Sequence, residues 1–177
     1  MTLSQEQLRV LHARDEIRQV LATYCRAVDR MDRELAASIW HPDARLEYVG
    51  VYEGDASGFL DWLWPVHESM EMHSHQVAQS IIEVEGETAR SETYVTATLW
   101  TSPADDGSQT EVVSRGRYLD HWALQAGRWC IRERLHLADM QTFRPLAAHH
   151  RDAGVSRDEH DRSAAWLAAS GGDGKPE

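Results

Sequence analysis

The sequence predicts an α+β domain in which helices pack on one face of a bent antiparallel sheet. Helical apolar spacing dominates residues 1–66, whereas long β-branched segments joined by short turns run from residue 75 to residue 138. Consecutive strands with short turns form an antiparallel meander. Helices that precede such a sheet are typical of the α+β class. The chain has 177 residues, 42% of them hydrophobic, and we expect one domain at residues 1–146 and a tail at residues 147–177.

The main helix is predicted over residues 17–32. Its apolar side chains recur at helical spacing and form one stripe, made of Ile17, Val20, Leu21, Tyr24, Val28 and Met31. Upstream, Ser4 and Gln7 have the spacing of a capping box that opens a helix. The stripe needs a partner surface, and the strand-like segments after residue 80 offer one.

Three shorter elements are predicted between the main helix and the meander. Residues 33–40 are expected to form a short helix that is stopped by Pro42. Residues 43–54 contain aromatic and β-branched residues among turn formers, which indicates a strand or hairpin. Residues 57–66 have helical spacing, and the helix is expected to end at Pro65.

Four strands are expected in the meander, at residues 75–84, 88–100, 111–124 and 128–138. On strict alternation, the last strand has two faces: Trp129, Ile131, Leu135 and Leu137 on one, and Cys130, Arg132, Arg134 and His136 on the other. The polar face is either solvated or part of a pocket wall, and alternation alone does not choose between these.

The polar tail after residue 146 is rich in His, Arg and Asp and ends in Gly-rich sequence. Such composition predicts a largely mobile segment. One helical turn is expected at residues 164–169, where Trp166 could dock on the domain. The tail could also cover a pocket or exchange onto a neighbouring copy.

Composition argues against several classes of function. The net charge is −11 and the 18 basic residues form no block, which argues against nucleic acid and anionic membrane surfaces as partners. Two cysteines, Cys25 and Cys130, are too few for a disulfide framework. No apolar run approaches the roughly 20 residues of a membrane helix, and no signal peptide is visible. We therefore expect a cytoplasmic protein.

Asp29 and His75 are the first candidates for chemistry. An aspartate can hold an imidazole in one tautomer while the imidazole takes a proton near neutral pH. Asp29 lies off the apolar stripe, however, so it could equally be a solvated carboxylate paired with a neighbouring arginine. His73 and His75 form an HxH pattern, but no convincing third ligand accompanies them, so no metal is expected.

The seven tryptophans suggest an aromatic-lined interior that is either plain core or the wall of a ligand site. The aromatic side chains expected to form this interior are Trp40, Tyr48, Tyr52, Trp62, Trp64 and Trp100. The common nucleotide, serine-hydrolase and zinc-protease motifs are absent from the sequence.

Three stretches resemble the SnoaL-like branch of the nuclear transport factor 2-like superfamily. They are YCRAVDRMDRELAASIWHPDA at 24–44, HQVAQSIIEVEGETA at 75–89 and GRYLDHWALQAGRWCIRERL at 116–135. The resemblance implies a cone-shaped, cystatin-like fold with its N-terminal helices on a strongly bent antiparallel sheet. Within this branch the chain is similar to hexachlorocyclohexane dehydrochlorinase, bile-acid 7α-dehydratase and scytalone dehydratase.

The resemblance also implies roles for individual residues. Asp29 and His75 match the family's catalytic pair, and Arg134 matches an arginine on the last strand. Tyr24 stands where the dehydrochlorinase has a lysine, and in this it resembles the bile-acid enzyme. Thr98 stands where the dehydratases have another polar catalytic residue. The residues expected to line the substrate site are Trp40, Tyr48, Trp62, Trp64, Trp100, Thr98 and His73.

The expected function is therefore a cofactor-independent lyase acting on a hydrophobic ring compound. His75, oriented by Asp29, removes a proton, while Tyr24 or Arg134 assists the departure of water, halide or a small carbonyl such as formaldehyde. The alternatives are an isomerase or cyclase that uses the same base, and a non-catalytic binding or assembly module. Relatives assemble through the sheet, so a homotrimer or homodimer is expected.

Overall fold

The computed structural model describes residues 2–147, 149–158 and 160–168. The elements in chain order are α1 (Gln5–Asp29), α2 (Arg33–Ala37), β1 (Trp40–Tyr48), β2 (Tyr52–Asp55), α3 (Ala56–Glu68), β3 (Met70–Glu85), β4 (Thr88–Thr101), β5 (Thr110–Gln125), β6 (Arg128–Pro145) and α4 (Arg162–Ala168). These strands form a six-stranded sheet in the order β2-β1-β6-β5-β4-β3. The predicted α+β class and the meander are confirmed, with β1 and β6 as a parallel pair in an otherwise antiparallel sheet.

Helix α1 is one continuous helix rather than a short opening helix followed by the main one. Its N-terminus has the predicted capping box, in which the Ser4 side chain accepts from the Gln7 N–H and the Gln7 side chain accepts from the Ser4 N–H. The helix ends three residues earlier than predicted, because Met31 adopts a φ of +52° and Asp32 caps α2. The buried stripe packs against the sheet.

Helix α3 continues through Pro65, so the prediction that it ends there was wrong. Proline removes one N–H donor but does not forbid a further turn. The side chains of Phe59, Leu63 and His67 are all buried, and this stripe continues past the proline. Packing of the stripe therefore outweighs the local preference for a stop.

Strand β6 contains an irregularity that changes which side chains face the helices. Ile131 pairs with Trp122, and Glu133 pairs with His121, so Arg132 is an extra residue on this strand. A β-bulge of this kind shifts the alternation by one position. The prediction that Ile131 and Arg134 lie on opposite faces was therefore wrong, because both are buried on the inner face.

The inner face is the sheet face that packs against α1. The pairing register places His75 of β3 opposite Ala97 of β4. It also places Tyr118 of β5 between Thr93 of β4 and His136 of β6, and His136 lies opposite Tyr48 of β1. These residues share the inner face because side chains directly opposite one another in a sheet point the same way. The inner face and the helices enclose the core.

Helix α4 covers most of the helical turn expected at residues 164–169, although Ala169 and the Gly-rich end lie outside the described residues. The Trp166 residue is 68% exposed. In the part of the chain that the structure describes, no helix is both long and apolar enough to cross a membrane. The cytoplasmic location remains a prediction.

Candidate active site

The Asp29–His75 pair joins the end of α1 to the first strand of the meander. His75 Nδ1 lies 2.7 Å from Asp29 Oδ1, and the backbone N–H of His75 contacts both carboxylate oxygens, at 3.0 and 2.9 Å. Only 14% of the Asp29 side chain and 9% of the His75 side chain are exposed. Contacts to both carboxylate oxygens hold the Asp29 side chain in one orientation. The structure thus brings the two predicted residues together, while their catalytic role remains a prediction.

The contact with Asp29 decides which nitrogen of His75 is free. Nδ1 carries the proton that it donates to the carboxylate, so Nε2 keeps a lone pair, as a general base requires. Asp29 is placed against the local electrostatic preference, because a negative side chain opposes the dipole at the C-terminal end of a helix. His75 compensates this conflict, and local conflicts of this kind are typical of functional sites.

Two further imidazoles pack around His75. The His67 ring stacks on it with centroids 5.5 Å apart, and the His73 ring lies 6.0 Å away. His67 Nδ1 donates to the Leu63 carbonyl at 3.1 Å, and His73 Nε2 donates to the Val28 carbonyl at 2.9 Å. Burial lowers the pKa of His67 to about 3 and the pKa of His73 to about 4, so both rings are neutral at neutral pH.

His73 was predicted to line the substrate site, but its ring is tied to the end of α1. Its bond to Val28 supports the residue that precedes Asp29, which indicates a positioning role. Among the described residues, no group of three or more His, Cys, Asp or Glu side chains is arranged to hold a metal ion.

Arg134 lies on the inner face of β6, paired with Asp120 of β5. Its Nε and Nη2 donate to the two carboxylate oxygens at 2.7 and 2.9 Å, and both side chains are fully buried. The guanidinium carbon lies 3.9 Å from the Tyr118 ring centroid and 4.7 Å from that of Tyr24. Burial opposes the charge on Arg134, but the Asp120 carboxylate raises its pKa well above the ordinary value. Arg134 is therefore charged, and the pair as a whole is neutral.

Tyr24 and Tyr48 form a buried pair of hydroxyls, with their oxygens 3.1 Å apart. Burial raises the pKa of both phenols, so both are neutral. One hydroxyl donates to the other, which leaves the pair with one proton for a ligand. The Trp40 ring packs edge-on to Tyr24 with centroids 5.8 Å apart.

Thr98 and Trp100, two residues predicted to line the substrate site, are not beside the Asp29–His75 pair. Thr98 and Trp100 pair with Ser74 and Met72, so they lie on the outer face of the sheet, opposite to His75, and line a separate cavity of about 170 Å³. The prediction that they line the same site disagrees with this register, since Thr98 is one residue out of step with Ala97.

Trp62 and Trp64 belong to the layer behind the site. The Trp62 ring packs on Tyr48 with centroids 6.4 Å apart, so it supports the tyrosine pair from outside. Trp64 lies under the Arg33 guanidinium, 5.5 Å from its carbon. The structure does not bring Trp64 to Asp29 and His75.

Sequence reasoning assigned no role to four residues around the site: His67, Tyr118, Asp120 and His136. Alternation along β5 could have revealed two of them, because Gly116, Tyr118, Asp120 and Trp122 occupy one face of a strand. His136 was noted on the polar face of the last strand, where solvation and a pocket wall were equally possible. Arg134 and His136 pair with Leu46 and Tyr48 of β1 and point inward, so their face of the strand is part of the interior.

The tail contributes a segment, residues 149–158 and 160–163, which we call the strap. Near its centre, Arg157 donates through Nη1 to the His67 carbonyl at 2.6 Å and to His73 Nδ1 at 3.3 Å. The strap therefore binds two of the histidines that surround the Asp29–His75 pair.

A second anchor of the strap lies at the end of α1. Asp161 is 3.3 Å from Arg30, which directly follows Asp29 in sequence. The Asp161 side chain also accepts from the Ser156 and Ser163 backbone N–H groups, both at 3.0 Å. The described part of the tail is thus attached to the elements that carry the pair.

A SnoaL-like domain family model matches residues 9–135 of this chain. The chain belongs to the SnoaL-like domain family. The match covers most of α1, then α2, α3, β1 to β5 and the first part of β6, which carries Arg134. Comparison with curated proteins gives no sequence match.

Solved structures show the same fold as this SnoaL-like domain. Hexachlorocyclohexane dehydrochlorinase LinA-type3 from Novosphingobium barchaimii LL02 is 20% identical, with a TM-score of 0.66 over 82% of this chain and 97% of the other. A protein with a provisional scytalone dehydratase assignment, from Novosphingobium aromaticivorans DSM 12444, is 17% identical, with a TM-score of 0.66 over 84% and 97%. An NTF2-like protein with a cystatin-like fold, from Novosphingobium aromaticivorans DSM, is 21% identical, with a TM-score of 0.61 over 74% and 84%. At these identities the likeness establishes the NTF2-like fold.

Proposed function

We propose that this SnoaL-like domain is a cofactor-independent lyase that acts on a hydrophobic ring compound. The observation that carries the proposal is the largely buried Asp29–His75 pair between α1 and the inner face, with Nδ1 and Oδ1 2.7 Å apart. An exposed or separated pair would have favoured a non-catalytic binding or assembly module. Similar folds in a dehydrochlorinase and in a provisionally assigned dehydratase support an elimination reaction.

The proposed reaction is a β-elimination. His75 Nε2 takes a proton from a ring carbon, the electrons of that C–H bond form a C=C bond, and the bond from the neighbouring carbon to the leaving group breaks. Asp29 stabilises the imidazolium that forms on His75. The pair thereby lowers the free energy of the transition state, in which this charge develops.

The departing group needs a hydrogen-bond donor, and Tyr24 and Arg134 remain the two candidates. Tyr24 offers a neutral phenol that is already paired with Tyr48, and Arg134 offers a charged guanidinium whose charge is balanced by Asp120. Halide can leave with a hydrogen bond alone, and hydroxide leaves as water when it also takes the proton of the Tyr24 phenol. A small carbonyl such as formaldehyde requires a different step: His75 takes the proton of a hydroxymethyl O–H, the O–H electrons form the C=O bond, and the C–C bond breaks and leaves its electrons on the ring carbon, which is then protonated.

Isomerisation is the second candidate, and the Tyr24–Tyr48 pair favours it. A pair of buried hydroxyls can stabilise an enolate, and the proton taken by His75 can return to another carbon. Product mass separates the two reactions, because isomerisation conserves the mass of the substrate and elimination lowers it.

The proposal is tested by incubating the protein with hydroxylated steroids, chlorinated rings and lignin-type aromatic dimers and measuring product mass. We expect one class to lose the mass of its leaving group with the wild type. Activity should disappear in His75→Ala and persist in His121→Ala, a matched control that removes an exposed histidine also paired with a carboxylate. Full activity of purified, folded His75→Ala would rule out the proposed base.

We also propose that the strap covers the site and that copies of the chain assemble through the outer face, as a homotrimer or homodimer. Ile81, Tyr94 and Met140 lie on the outer face and are 67%, 42% and 58% exposed. Exposed apolar side chains on one face support an association surface. Analytical ultracentrifugation of the wild type and Tyr94→Arg measures the oligomeric state, and a monomeric wild type would contradict the assembly.

A further inference from the structure

His136 is the one histidine on the inner face of β6, between two tyrosines. Its ring lies 4.7 Å from the Tyr48 ring and 5.4 Å from the Tyr118 ring, measured between centroids. The Tyr48 hydroxyl beside it pairs with that of Tyr24 on α1, the helix that ends at Asp29. His136 and the proposed base thus both lie on the inner face, on the last and the first strand of the meander.

Burial lowers the pKa of His136 to about 4, with Arg134 and His75 contributing in the same direction. The ring is therefore neutral, with one N–H donor and one lone pair. Its described contacts are ring packing and charge interactions, and they include no hydrogen bond to the described residues. Both hydrogen-bonding positions of this half-buried ring are therefore open to solvent or to a ligand.

Gly116 lies close to the His136 ring. A Cβ at this position would lie 2.2 Å from the Leu137 carbonyl oxygen and 3.1 Å from His136 Nε2. The first distance is impossible without moving the backbone, so glycine is required where β5 approaches β6. Because residue 116 has no side chain, His136 Nε2 can lie close to the β5 backbone.

Two other polar groups lie near His136. Arg134 Nη1 is buried and makes no hydrogen bond of normal geometry to the described residues, although Arg134 acts on the Tyr48 hydroxyl. The Tyr24–Tyr48 pair has one proton to give. Unpaired buried polar groups destabilise a protein unless water or a ligand satisfies them. The charges are already balanced, since Asp120 neutralises Arg134, so these atoms suit a neutral ligand.

From this geometry we propose that His136 is a specificity-determining residue that hydrogen-bonds a hydroxyl or carbonyl oxygen on a neutral ring substrate. A hydroxyl can accept from the N–H or donate to the other ring nitrogen, and a carbonyl can accept from the N–H, whereas carbon-bound chlorine is a weak partner for either nitrogen. A site built to bind a hydroxyl discriminates strongly against an analogue that lacks it. The inference rests on the proposed function and deepens it, because it narrows the substrate to rings that carry an oxygen substituent.

The test compares binding of phenol and chlorobenzene, two rings of similar size that differ in the substituent. Isothermal titration gives the ratio of their dissociation constants for the wild type and for His136→Phe, which keeps a ring but removes both nitrogens. We expect the preference for phenol to fall by roughly five- to tenfold in His136→Phe. The ratio should be unchanged in the control His121→Phe, where the histidine is exposed. An unchanged ratio in His136→Phe would overturn the proposal.

A second measurement uses only the wild type and does not depend on the variant folding. In nitrogen-15 NMR of the histidine rings, the chemical shifts of the His136 nitrogens should change when phenol is added. They should remain nearly unchanged when chlorobenzene is added. Absence of a phenol-induced shift would also overturn the proposal, as would tighter binding of benzoate than of phenol.

Failure of this inference is separable from failure of the proposed lyase activity. His75→Ala should retain the phenol preference, because the oxygen contact does not involve the base. A retained preference together with unimpaired turnover in His75→Ala would reject the lyase mechanism and leave the role of His136 standing.

Discussion

Two histidine–carboxylate pairs of nearly equal length lie on opposite faces of the same sheet. In one, His75 Nδ1 is 2.7 Å from Asp29, and in the other His121 Nδ1 is 2.8 Å from Glu133. The His121 and Glu133 side chains are 57% and 58% exposed, against 9% and 14% for His75 and Asp29. Distance alone would rank the two pairs as equivalent sites.

Burial and a second anchor separate these pairs. Asp29 also accepts the His75 backbone N–H, so the carboxylate is fixed, and neighbouring rings exclude water from the imidazole. The exposed pair is screened by solvent, and such pairs contribute about 0–1 kcal/mol. A short contact becomes a candidate for chemistry only where the surroundings lower the dielectric and hold its geometry.

Removing the charge from each carboxylate should give the largest contrast. Asp29→Asn is expected to lower kcat/KM by about 10²–10⁴-fold, because the amide cannot stabilise imidazolium at His75. Glu133→Gln should change it less than about twofold, since an exposed pair contributes little. Steady-state kinetics on a turned-over compound measures both, and equal losses would remove the distinction between the pairs.

The same contrast applies to two of the arginine–aspartate pairs, Arg134–Asp120 and Arg117–Asp139. Asp120→Asn leaves the fully buried Arg134 without its counter-charge, and this should lower the free energy of unfolding by about 3–5 kcal/mol. Asp139→Asn, which breaks the partly exposed pair with Arg117, should cost less than about 1 kcal/mol. Urea denaturation reports both values, and a small effect of Asp120→Asn would mean that the ion pair is not needed.

Acid should destabilise the protein through the buried histidines. The folded-state pKa of His67 is about 3, below the unfolded value of about 6.5. Above about pH 6.5 neither state gains a proton at His67, whereas between about pH 6.5 and about pH 3 the unfolded chain takes one up more readily. The free energy of unfolding should therefore decrease as the pH is lowered below about 6.5, by up to about 1.4 kcal/mol per pH unit from His67.

Urea denaturation at about pH 7 and about pH 5 measures this loss. His67→Gln should lose less stability over the interval than the wild type, and the exposed control His121→Gln should lose as much as the wild type. An identical pH dependence in His67→Gln would show that His67 is not held neutral by burial.

The smallest expected effect is at the strap. Arg157→Ala removes the bonds to the His67 carbonyl and to His73 without touching Asp29 or His75. We expect KM to rise about two- to fivefold with little change in kcat, because the strap positions the surroundings and not the base. A large loss of kcat would instead place Arg157 within the catalytic machinery.

Much of this account could be predicted from the sequence. The α1 stripe, the Ser4 capping box and the meander follow from periodicity and turn residues. The pairing of Asp29 with His75 came from resemblance, because Asp29 lies off the helical stripe and no local pattern marks it. Long-range pairing depends on the register of β3 and on where α1 ends.

The inward face of β6 could not be predicted, because one extra residue decides it. Strict alternation separates Ile131 from Arg134, and the bulge at Arg132 places both inside. The prediction that Thr98 lines the site was wrong because Thr98 is one residue away from Ala97, which pairs with His75. A difference of one residue along a strand moves a side chain to the other face. Faces of long strands are therefore the least secure part of such a prediction.

The most direct test of the central claim uses a substrate that needs only a base. 5-Nitrobenzisoxazole is a flat aromatic ring that opens with a colour change when one proton is removed, so its cleavage reports a buried base whatever the natural substrate. We predict cleavage faster than by equimolar free imidazole in the wild type and in His121→Ala, and loss of this acceleration in His75→Ala. Equal rates in His75→Ala and the wild type, or a wild type no faster than imidazole, would contradict the claim that Asp29 and His75 form a catalytic base.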